Sequence, residues 1–344
     1  MSVRAIRELA LMRVRTFLRE PEAFFWTFGF PILMTIGLGL AFREEAAPAP
    51  VLIGVETGTV AESWFGALSA DPELEPMWLD TEAADRALRR GEVPLVLSGA
   101  DTLVFRYDPA REESRVARLL AEAAIQRGAG VEPAVVINSD ANRLPGGRYI
   151  DWLVPGLIGL NLMSTGIWGI GFGLVFMREK KQLKRLVATP MKRSDFLIAQ
   201  LFGRLAFVLI EVPPVVIFGW LAFGVRMVGS PALFTMVVFL GALAFAGIGL
   251  LAASRAKTIE GVGGINNLIM VPMFVLSGVF FSPNRFPEVM QPFIRALPLT
   301  ALNGALRGVY NEGLGFGAIA PEIAILSIWT IVTFVVALRI FRWR

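Results

Sequence analysis

Glu211 is the residue best placed to do chemistry, because it is a carboxylate in the middle of an apolar run, FVLIEVPPVV. A charged group inside a membrane helix is costly, so by default it marks a functional site and faces a cavity or a partner charge. Arg204 stands seven residues earlier on roughly the same helical face, and a local bend would bring the two together. A structural hydrogen bond that fixes the helix beside Pro213–Pro214 is the alternative interpretation.

Three asparagines also interrupt apolar runs: Asn161, Asn266 and Asn267. Amides in membrane helices more often bridge neighbouring helices through hydrogen bonds than bind a ligand. A place along a polar pathway through the membrane is the second interpretation. Together with Glu211 they form the predicted set of pathway or coupling residues.

The composition excludes most catalytic chemistry. The chain has no Cys and no His, which removes thiol nucleophiles, disulfides, His-dependent triads and most zinc sites. Neither G-x-x-x-x-G-K-S/T nor G-x-G-x-x-G occurs, so a P-loop does not bind nucleotide here. A carboxylate enzyme would need Asp151, Glu211 and Glu260 to converge, and the topology predicted below places them on different sides or depths. We therefore predict no catalytic residue, no metal site and no cofactor in this chain.

The elements that must position these residues are membrane helices. A mean hydropathy of +0.60 with 55% hydrophobic residues predicts an integral membrane protein with a membrane all-α fold. Six apolar segments are long enough to span a bilayer: about 22–42, 150–177, 195–225, 228–253, 261–282 and 320–340. With both termini inside, the inner segments carry 17 Lys/Arg and the short outer segments carry 4. The positive-inside rule therefore predicts six helices with the N-in/C-in topology.

Residues 1–21 place apolar and basic residues on opposite sides of a helix, which predicts a cytoplasmic amphipathic helix in the membrane interface. A signal peptide with residues 22–42 as its hydrophobic region is the alternative. The basic region is longer and more periodic than a signal peptide requires, and the uncharged run exceeds the usual length. We therefore predict a retained anchor.

Residues 43–149 differ in charge from the rest of the chain, with 18 Asp/Glu against 11 Arg and no Lys. The strings VLIGVET, VPLVLSGA and TLVFRYDP predict strands, and three helical strings lie among them, the last with Val116, Leu119, Leu120 and Ala123 on one side. We expect a small α/β domain outside the cytoplasm. The basic excess belongs to the membrane-flanking parts, so anionic lipid is the predicted charged partner and nucleic acid is not.

Residues 178–193, REKKQLKRLVATPMKR, hold seven Lys/Arg between two predicted spans. Leu183, Leu186 and Val187 recur at helical spacing before Thr189–Pro190 ends the pattern. This predicts a short amphipathic helix that forms a docking surface on the cytoplasmic side.

Residues 283–318 are apolar, yet four prolines forbid one long helix: Pro283, Pro287, Pro292 and Pro298. Two short helices that dip into the outer leaflet or pack over a pore mouth would satisfy both facts. Irregular backbone at that depth must be buried in protein or line a cavity.

The string FVLSGVFFSPNRFPEVMQPFIRALPLTALNGALRGV, residues 274–309, resembles the signature region of type-2 ATP-binding-cassette (ABC) permeases. The matching residues are Ser277, Gly278, Phe280, Phe281, Pro283, Phe286–Pro287, Pro298, Leu299, Thr300 and Arg307. The string REKKQLKRLVATPMKRSDFLIAQL is similar to the family's first cytoplasmic loop through Arg178, Glu179, Leu183, Leu186, Thr189 and Pro190. A Gly-Thr pair common in that loop is replaced by Gln182–Leu183. Residues 43–149 resemble the extracytoplasmic insert of the family's longer members.

The resemblance implies one half of a transmembrane dimer, with a second permease copy and two copies of a separate ATPase that holds ATP and magnesium. The implied ATPase-coupling residues are Arg178, Glu179, Lys181, Lys184, Arg185, Leu186, Thr189 and Pro190. The implied re-entrant segment near the outer exit contains Ser277, Gly278, Phe281, Pro283, Pro287, Pro298, Thr300 and Arg307.

The expected function is that of a non-catalytic permease subunit of an ATP-driven exporter of amphipathic, lipid-linked or drug-like substrates. The alternative is a mechanotransmitting subunit that acts on an extracytoplasmic partner through residues 43–149 and passes no substrate itself.

Overall fold

The computed structural model describes residues 24–41, 50–60, 62–99, 102–131, 147–187 and 193–341. The predicted interfacial helix, residues 1–21, lies outside the described residues, as do Thr189 and Pro190. The chain divides into two compact units, a membrane unit (residues 1–43 with 143–344) and an α/β unit (residues 44–142).

The elements are as follows in chain order. The helices are α1 (Phe30–Ala41), α2 (Glu62–Ser69), α3 (Thr81–Arg90), α4 (Glu112–Gly128), α5 (Tyr149–Glu179), α6 (Gln182–Val187), α7 (Arg193–Phe223), α8 (Pro231–Ala253), α9 (Ile259–Leu276), α10 (Gln291–Ala296), α11 (Pro298–Tyr310) and α12 (Ala320–Ile340). A π-helical turn, Phe25–Gly29, leads directly into α1. The strands are β1 (Val51–Glu56), β2 (Leu74–Leu79), β3 (Leu95–Ser98) and β4 (Val104–Tyr107).

The α/β unit is built on a four-stranded sheet in the order β2-β1-β3-β4. The first three strands run parallel and β4 is antiparallel. One face of the sheet packs against α2 and α4, and α3 covers the other. Strand β2 is absent from the sequence prediction because Pro76 argues against a strand. Its place at the sheet edge explains why proline is tolerated there.

Helix α4 packs with the opposite side from the one that its large apolar residues suggest. Its core positions are small: Ser114, Ala117, Ala121 and Ala124. Val116 and Leu119, which the helical pattern groups on the apolar side, are 50% and 57% exposed. Small residues allow α4 to approach the sheet closely, so Val116 and Leu119 remain outside the core, while the partly buried Leu120 packs against it.

The membrane unit contains five helices long and apolar enough to cross a bilayer, among the described residues: α5, α7, α8, α9 and α12. A sixth apolar helix, Phe25–Ala41, is shorter. Helix α8 is the most enclosed of the five: 72% of its most apolar stretch is buried inside the protein, against 17% for α9 and for α12. The unit therefore has a buried centre and two largely uncovered helices.

Helices α5 and α8 approach so closely that side chains would separate them. A Cβ added at Gly249 of α8 would lie 2.8 Å from the carbonyl oxygens of Gly166 and Ile167 in α5. Real Cβ contacts are not that short, so this crossing requires glycine. The two helices form the packed centre of the unit.

Helix α9 ends at Leu276, six residues before the boundary predicted for that span. Residues 283–310 then form two 3₁₀ turns, Pro283–Arg285 and Glu288–Met290, followed by α10 and α11. Proline lies in the first turn of both helices, as the second residue of α10 and the first of α11, where its missing N–H costs nothing.

Candidate functional site

Arg204 and Glu211 form a buried ion pair along α7. Seven residues correspond to about two helical turns, or roughly 10 Å of rise, which the long Arg204 side chain covers. Its Nη1 donates to Glu211 Oε2 at 2.6 Å, and the two side chains are 2% and 0% exposed. The pair satisfies both charges within the helix bundle, as a membrane interior demands.

Thr165 of α5 joins this ion pair to the neighbouring helix. Arg204 Nη2 donates to Thr165 Oγ1 at 2.8 Å and to the carbonyl of Leu162 at 3.2 Å. The Thr165 hydroxyl lies 2.7 Å from Glu211 Oε1 and 2.7 Å from the carbonyl of Asn161. Its single proton serves one of these two acceptors at a time. Sequence reasoning missed Thr165, although its i+4 spacing from Asn161 places it on the same face of α5.

The three predicted asparagines occupy three different environments. Asn161 Nδ2 donates to the carbonyl of Thr27 at 3.0 Å and so links α5 to the π-helical turn that leads into α1. Asn266 is buried beside Gly171, and neither polar atom of its amide has a hydrogen-bond partner among the described residues. Asn267 is exposed on α9. Asn161 therefore bridges helices, as the first interpretation expects.

Arg307 of α11 organises the end of the bundle where α5 begins, which we call the α11 end. Its Nε donates to the carbonyl of Trp152 at 3.1 Å and its Nη2 to the carbonyl of Gly278 at 2.6 Å. The guanidinium also stacks on the Trp152 ring at 3.5 Å. Gly278 has a positive φ of 72°, which ends α9 and frees carbonyls. Arg307 supplies the hydrogen bonds that this broken backbone requires.

Two more amides bind α11 to its neighbours. Asn303 Nδ2 donates to the carbonyl of Ser277 at 3.1 Å, and Asn311 Nδ2 donates to the carbonyl of Asp151 at 2.8 Å. Neither asparagine stands out in the sequence, because their roles depend on which helices lie side by side. The result is a hydrogen-bonded junction of α5, α9 and α11.

The other signature residues line this junction unevenly. Ser277, Gly278 and Pro298 are buried, and Pro283 and Thr300 are half-buried. Phe281 and Pro287 are exposed. The structure thus brings Gly278 into contact with Arg307 and leaves Phe281 and Pro287 at the surface.

The opposite end of the bundle, which we call the α6 end, carries the basic stretch. Helix α5 continues through Glu179, and Lys181 then adopts a positive φ of 58°, which turns the chain into α6. Leu183 is buried against the bundle, whereas Lys180, Lys181 and Arg185 are exposed. The side chains of Lys184 and Leu186 lie outside the described part of the structure. Among the described side chains of α6, Leu183 thus packs against the bundle and Arg185 is exposed.

Arg178 and Glu179 belong to α5 rather than to a separate helix, and both contact the turn between α8 and α9. Arg178 Nη1 donates to the carbonyl of Ala253 at 2.9 Å and also to that of Ala256. Glu179 Oε1 accepts from the backbone N–H of Ile259 at 3.1 Å. These two predicted coupling residues therefore bind neighbouring helix ends.

The acidic residues that an enzyme would need are not brought together. Asp151 pairs with Arg148, Glu211 pairs with Arg204, and Glu260 is exposed in the first turn of α9. In the described residues, no group of three or more acidic, His or Cys side chains could hold a metal. The carboxylate-enzyme alternative has no assembled site in this part of the chain.

Comparison with known proteins identifies the architecture. Residues 117–311, more than half of the chain, match the family model described as ABC-2 type transporter. The inner membrane transport permease YhhJ of Escherichia coli (strain K12) is 24% identical over 183 residues, covering 53% of this chain and 49% of YhhJ. The inner membrane transport permease YadH of the same strain is 23% identical over 211 residues, covering 60% of this chain and 78% of YadH.

A third relative is the linearmycin resistance permease protein LnrN of Bacillus subtilis (strain 168), 26% identical over 136 residues, or 37% of this chain and 35% of LnrN. The chain thus spans about half the length of YhhJ, while it matches most of YadH. The family predicted from the two sequence motifs is confirmed. The chain belongs to the ABC-2 type transporter family.

Proposed function

We propose that this chain is the permease subunit of an ATP-driven ABC exporter in a bacterial inner membrane. Family membership, the five long apolar helices and the similarity to inner membrane transport permeases support the proposal. ATP and magnesium belong to a separate ATPase subunit, present in two copies. We assign the α/β unit to the outside of the cytoplasm, as the counterpart of the extracytoplasmic insert of the family's longer members.

The observation that carries the proposal is the basic surface at the α6 end. Three cations, Lys180, Lys181 and Arg185, are exposed around a helix whose Leu183 is buried against the bundle. An exposed basic patch of this kind favours an acidic protein surface and speeds its association. We assign this surface to the ATPase, with Lys184, Leu186, Thr189 and Pro190 as further docking residues.

A second permease copy is the partner that fits α9. This helix exposes Asn267 beside large apolar residues such as Leu268, which is 77% exposed. An amide facing hydrocarbon is unfavourable, so such groups face another helix or a water-filled cavity. We propose that α9 faces the second copy across the translocation pathway. Asn266, Asn267 and Glu211 are the polar groups that we assign to the pathway or to its coupling.

The substrate class we propose is amphipathic: a drug-like or lipid-linked molecule moved outward. Mostly apolar faces on α9 and α12 suit such a molecule, and one relative is named for resistance to linearmycin. The re-entrant segment α10–α11 would then lie near the outer exit.

Lysine labelling tests the orientation, because every lysine of the sequence lies within residues 178–193 or at position 257: Lys180, Lys181, Lys184, Lys192 and Lys257. A membrane-impermeant amine reagent should therefore label the chain in inside-out vesicles and leave it unlabelled in intact spheroplasts. Lysine labelling from the outside would contradict the N-in/C-in proposal.

Charge reversal tests the docking surface. We expect Lys184→Glu with Arg185→Glu to reduce the amount of ATPase that co-purifies with the full permease by roughly tenfold, because opposed like charges cost several kcal/mol at an interface. The matched control is Arg285→Glu with Arg295→Glu, two exposed cations at the α11 end. ATPase recovery at the wild-type level in the first variant would refute the docking assignment.

A mechanotransmitting role is the second candidate function, and the outward apolar side of α4 favours it. Val116 and Leu119 form an exposed apolar strip on the α/β unit, which suits contact with a partner protein. Deleting residues 44–142 separates the two functions. An exporter should keep basal ATP-dependent transport, whereas a mechanotransmitter should lose all activity.

A further inference from the structure

The turn between α8 and α9, residues 254–258, is held by two consecutive side chains of α5. Arg178 donates to the carbonyls of Ala253 and Ala256, at the end of α8 and within the turn. Glu179 accepts from the N–H of Ile259, the first residue of α9. One dipeptide thus contacts both helices that the turn connects.

The charges suit the helix ends that they meet. The last carbonyls of α8 lack intrahelical partners and carry partial negative charge, which a guanidinium satisfies. The first N–H groups of α9 carry partial positive charge, and Glu179 provides an acceptor for one of them. Thr258 caps the same helix by accepting from the N–H of Gly261. Arg178 and Glu179 are therefore built into the fold as helix-end partners.

The next two residues point elsewhere. Lys180 and Lys181 are exposed, and the positive φ of Lys181 starts α6 at once. The segment that leads into α6 therefore consists of two residues that contact the α8–α9 turn, Arg178 and Glu179, followed by two exposed lysines. This four-residue segment is the covalent connection through which α6 can displace the α8–α9 turn.

We propose that Arg178 and Glu179 are positioning residues that pass a displacement of α6 to α9. Arg178 holds the end of α5 to the end of α8. Deeper in the bundle, the same two helices are already in close contact where Gly166 meets Gly249. Glu179 couples the start of α9 to that body through one exposed hydrogen bond. The inference rests on the proposed function in one respect, since it takes the ATPase as the source of the displacement. It moves Arg178 and Glu179 from the docking set to the transmission path.

The conservative variants make the test specific. Glu179→Gln keeps an oxygen acceptor for the N–H of Ile259, whereas Glu179→Ala removes it. Glu260→Ala is the matched control, because Glu260 is an exposed carboxylate in the first turn of the same helix. A general effect of removing negative charge near α9 would appear in the control as well.

Spin-label distances can follow the coupling without the ATPase, and the chain has no native cysteine to interfere. Labels at Gln182→Cys, an exposed position of α6 outside the docking set, and Gly264→Cys in α9 report on the two elements, and a Cβ at Gly264 meets nothing within 4 Å. In the full chain in nanodiscs, we expect Glu179→Ala to broaden or shift the distance distribution. Glu179→Gln and Glu260→Ala should match the parent. An unchanged distribution in a folded Glu179→Ala variant would overturn the proposal.

The complex with its ATPase supplies the second measurement. We expect Glu179→Ala to retain the ATPase, while the ATP-dependent change in the ratio of the two distance populations falls by roughly 5- to 150-fold, the ordinary range of coupling between sites. Loss of ATPase binding in this variant would make Glu179 a docking contact and overturn the relay. An ATP response equal to that of the parent would also overturn it. Failure of the α6 charge reversal to release the ATPase would instead refute the docking assignment, which the nanodisc distances do not assume.

Discussion

Arginine is used in opposite ways by the two units of this chain. In the membrane unit, Arg204 and Arg307 are 2% and 6% exposed, and their contacts are carbonyls, a hydroxyl, a carboxylate and an indole ring. In the α/β unit, the side chains of Arg90 and Arg127 are 71% and 58% exposed in their ion pairs. Water can solvate the second pair of arginines, whereas the first pair depends on protein groups for its hydrogen bonds.

The difference teaches which polar contacts the structure depends on. A guanidinium without water must find protein partners for its donors, and those partners are left unsatisfied if it is removed. An exposed ion pair exchanges its partner for water at little cost. Substitutions should therefore rank by burial rather than by the number of charges involved.

The largest effect is expected at the Arg204–Glu211 pair. Glu211→Gln leaves the Arg204 charge buried without its counterion, and breaking a buried pair in this way costs about 3–5 kcal/mol. Thermal unfolding of the purified chain, followed by size-exclusion chromatography, should show this loss. Glu260→Gln, which changes an exposed carboxylate of α9, is the control and should unfold at the same temperature as the wild type.

A double variant sharpens this prediction. Arg204→Leu with Glu211→Leu removes both charges, and replacing a buried pair by apolar residues is often neutral or stabilising. We expect the double variant to be more stable than Glu211→Gln. Equal destabilisation of the two would show that the pair matters through its shape or its contacts to α5 rather than through its charge.

The next effect is expected at Arg307. Arg307→Ala removes the donors for the carbonyls of Trp152, Gly278 and Val279, and each unsatisfied buried group costs about 1–3 kcal/mol. Arg307→Lys should restore only part of the loss, because an ammonium lacks the planar fork and stacks less well on Trp152.

Arg295→Ala, at an exposed position in the last turn of α10, is the control for a lost positive charge. Unfolding temperatures of the three variants decide the outcome. Full stability of Arg307→Lys would mean that charge alone, rather than the geometry of the junction, stabilises the α11 end.

The smallest effect is expected at the pair of Asp71 with Arg127 in the α/β unit. Burial raises the pKa of Asp71, but the N–H of Glu73 and the Arg127 guanidinium outweigh it, so the pKa lies below its ordinary value of 3.8. The stabilisation is therefore present above pH 3.8 and is lost as the pH falls through the lowered pKa. Because Arg127 is largely exposed, its share is about 1 kcal/mol or less.

Asp71→Asn tests this prediction in the full chain by hydrogen exchange of peptides from residues 62–131. The variant should exchange faster than the wild type near neutral pH, and the difference should shrink well below pH 3.8. A difference that persists unchanged at low pH would show that the Asp71 charge is not its cause. Glu62→Gln, in the first turn of α2, provides an exposed comparison.

The sequence predicted six spans, and five of them match helices long enough to cross a bilayer among the described residues, because hydropathy over twenty residues depends little on neighbouring helices. It placed the end of α9 too late, since Ser277–Phe281 is as apolar as the helix before it. The reversed packing of α4 was not predictable from periodicity, because alanine can serve as a core residue when a sheet is close. Strand β2 was not predicted, because Pro76 is tolerated at a sheet edge, and the position of a strand within the sheet depends on the tertiary fold.

The polar sites show the same division. Glu211 and Arg307 stand out in the sequence as charges among apolar residues, and both are buried at junctions of helices. Their partners Thr165 and Trp152 are ordinary residues whose importance depends on which helices are adjacent. A single sequence does not show which helices are adjacent. The charged residue of each contact could therefore be predicted, and its neutral partner could not.

The glycine crossing of α5 and α8 has a practical consequence for measuring motion in this protein. Two helices whose backbones touch at Gly166 and Gly249 have no room to slide or rotate past each other without a steric clash. Their paired segment can therefore serve as a fixed internal origin. Displacements of α7, α9 and α12 measured from labels on α8 would report each helix's own movement, free of any drift in the reference.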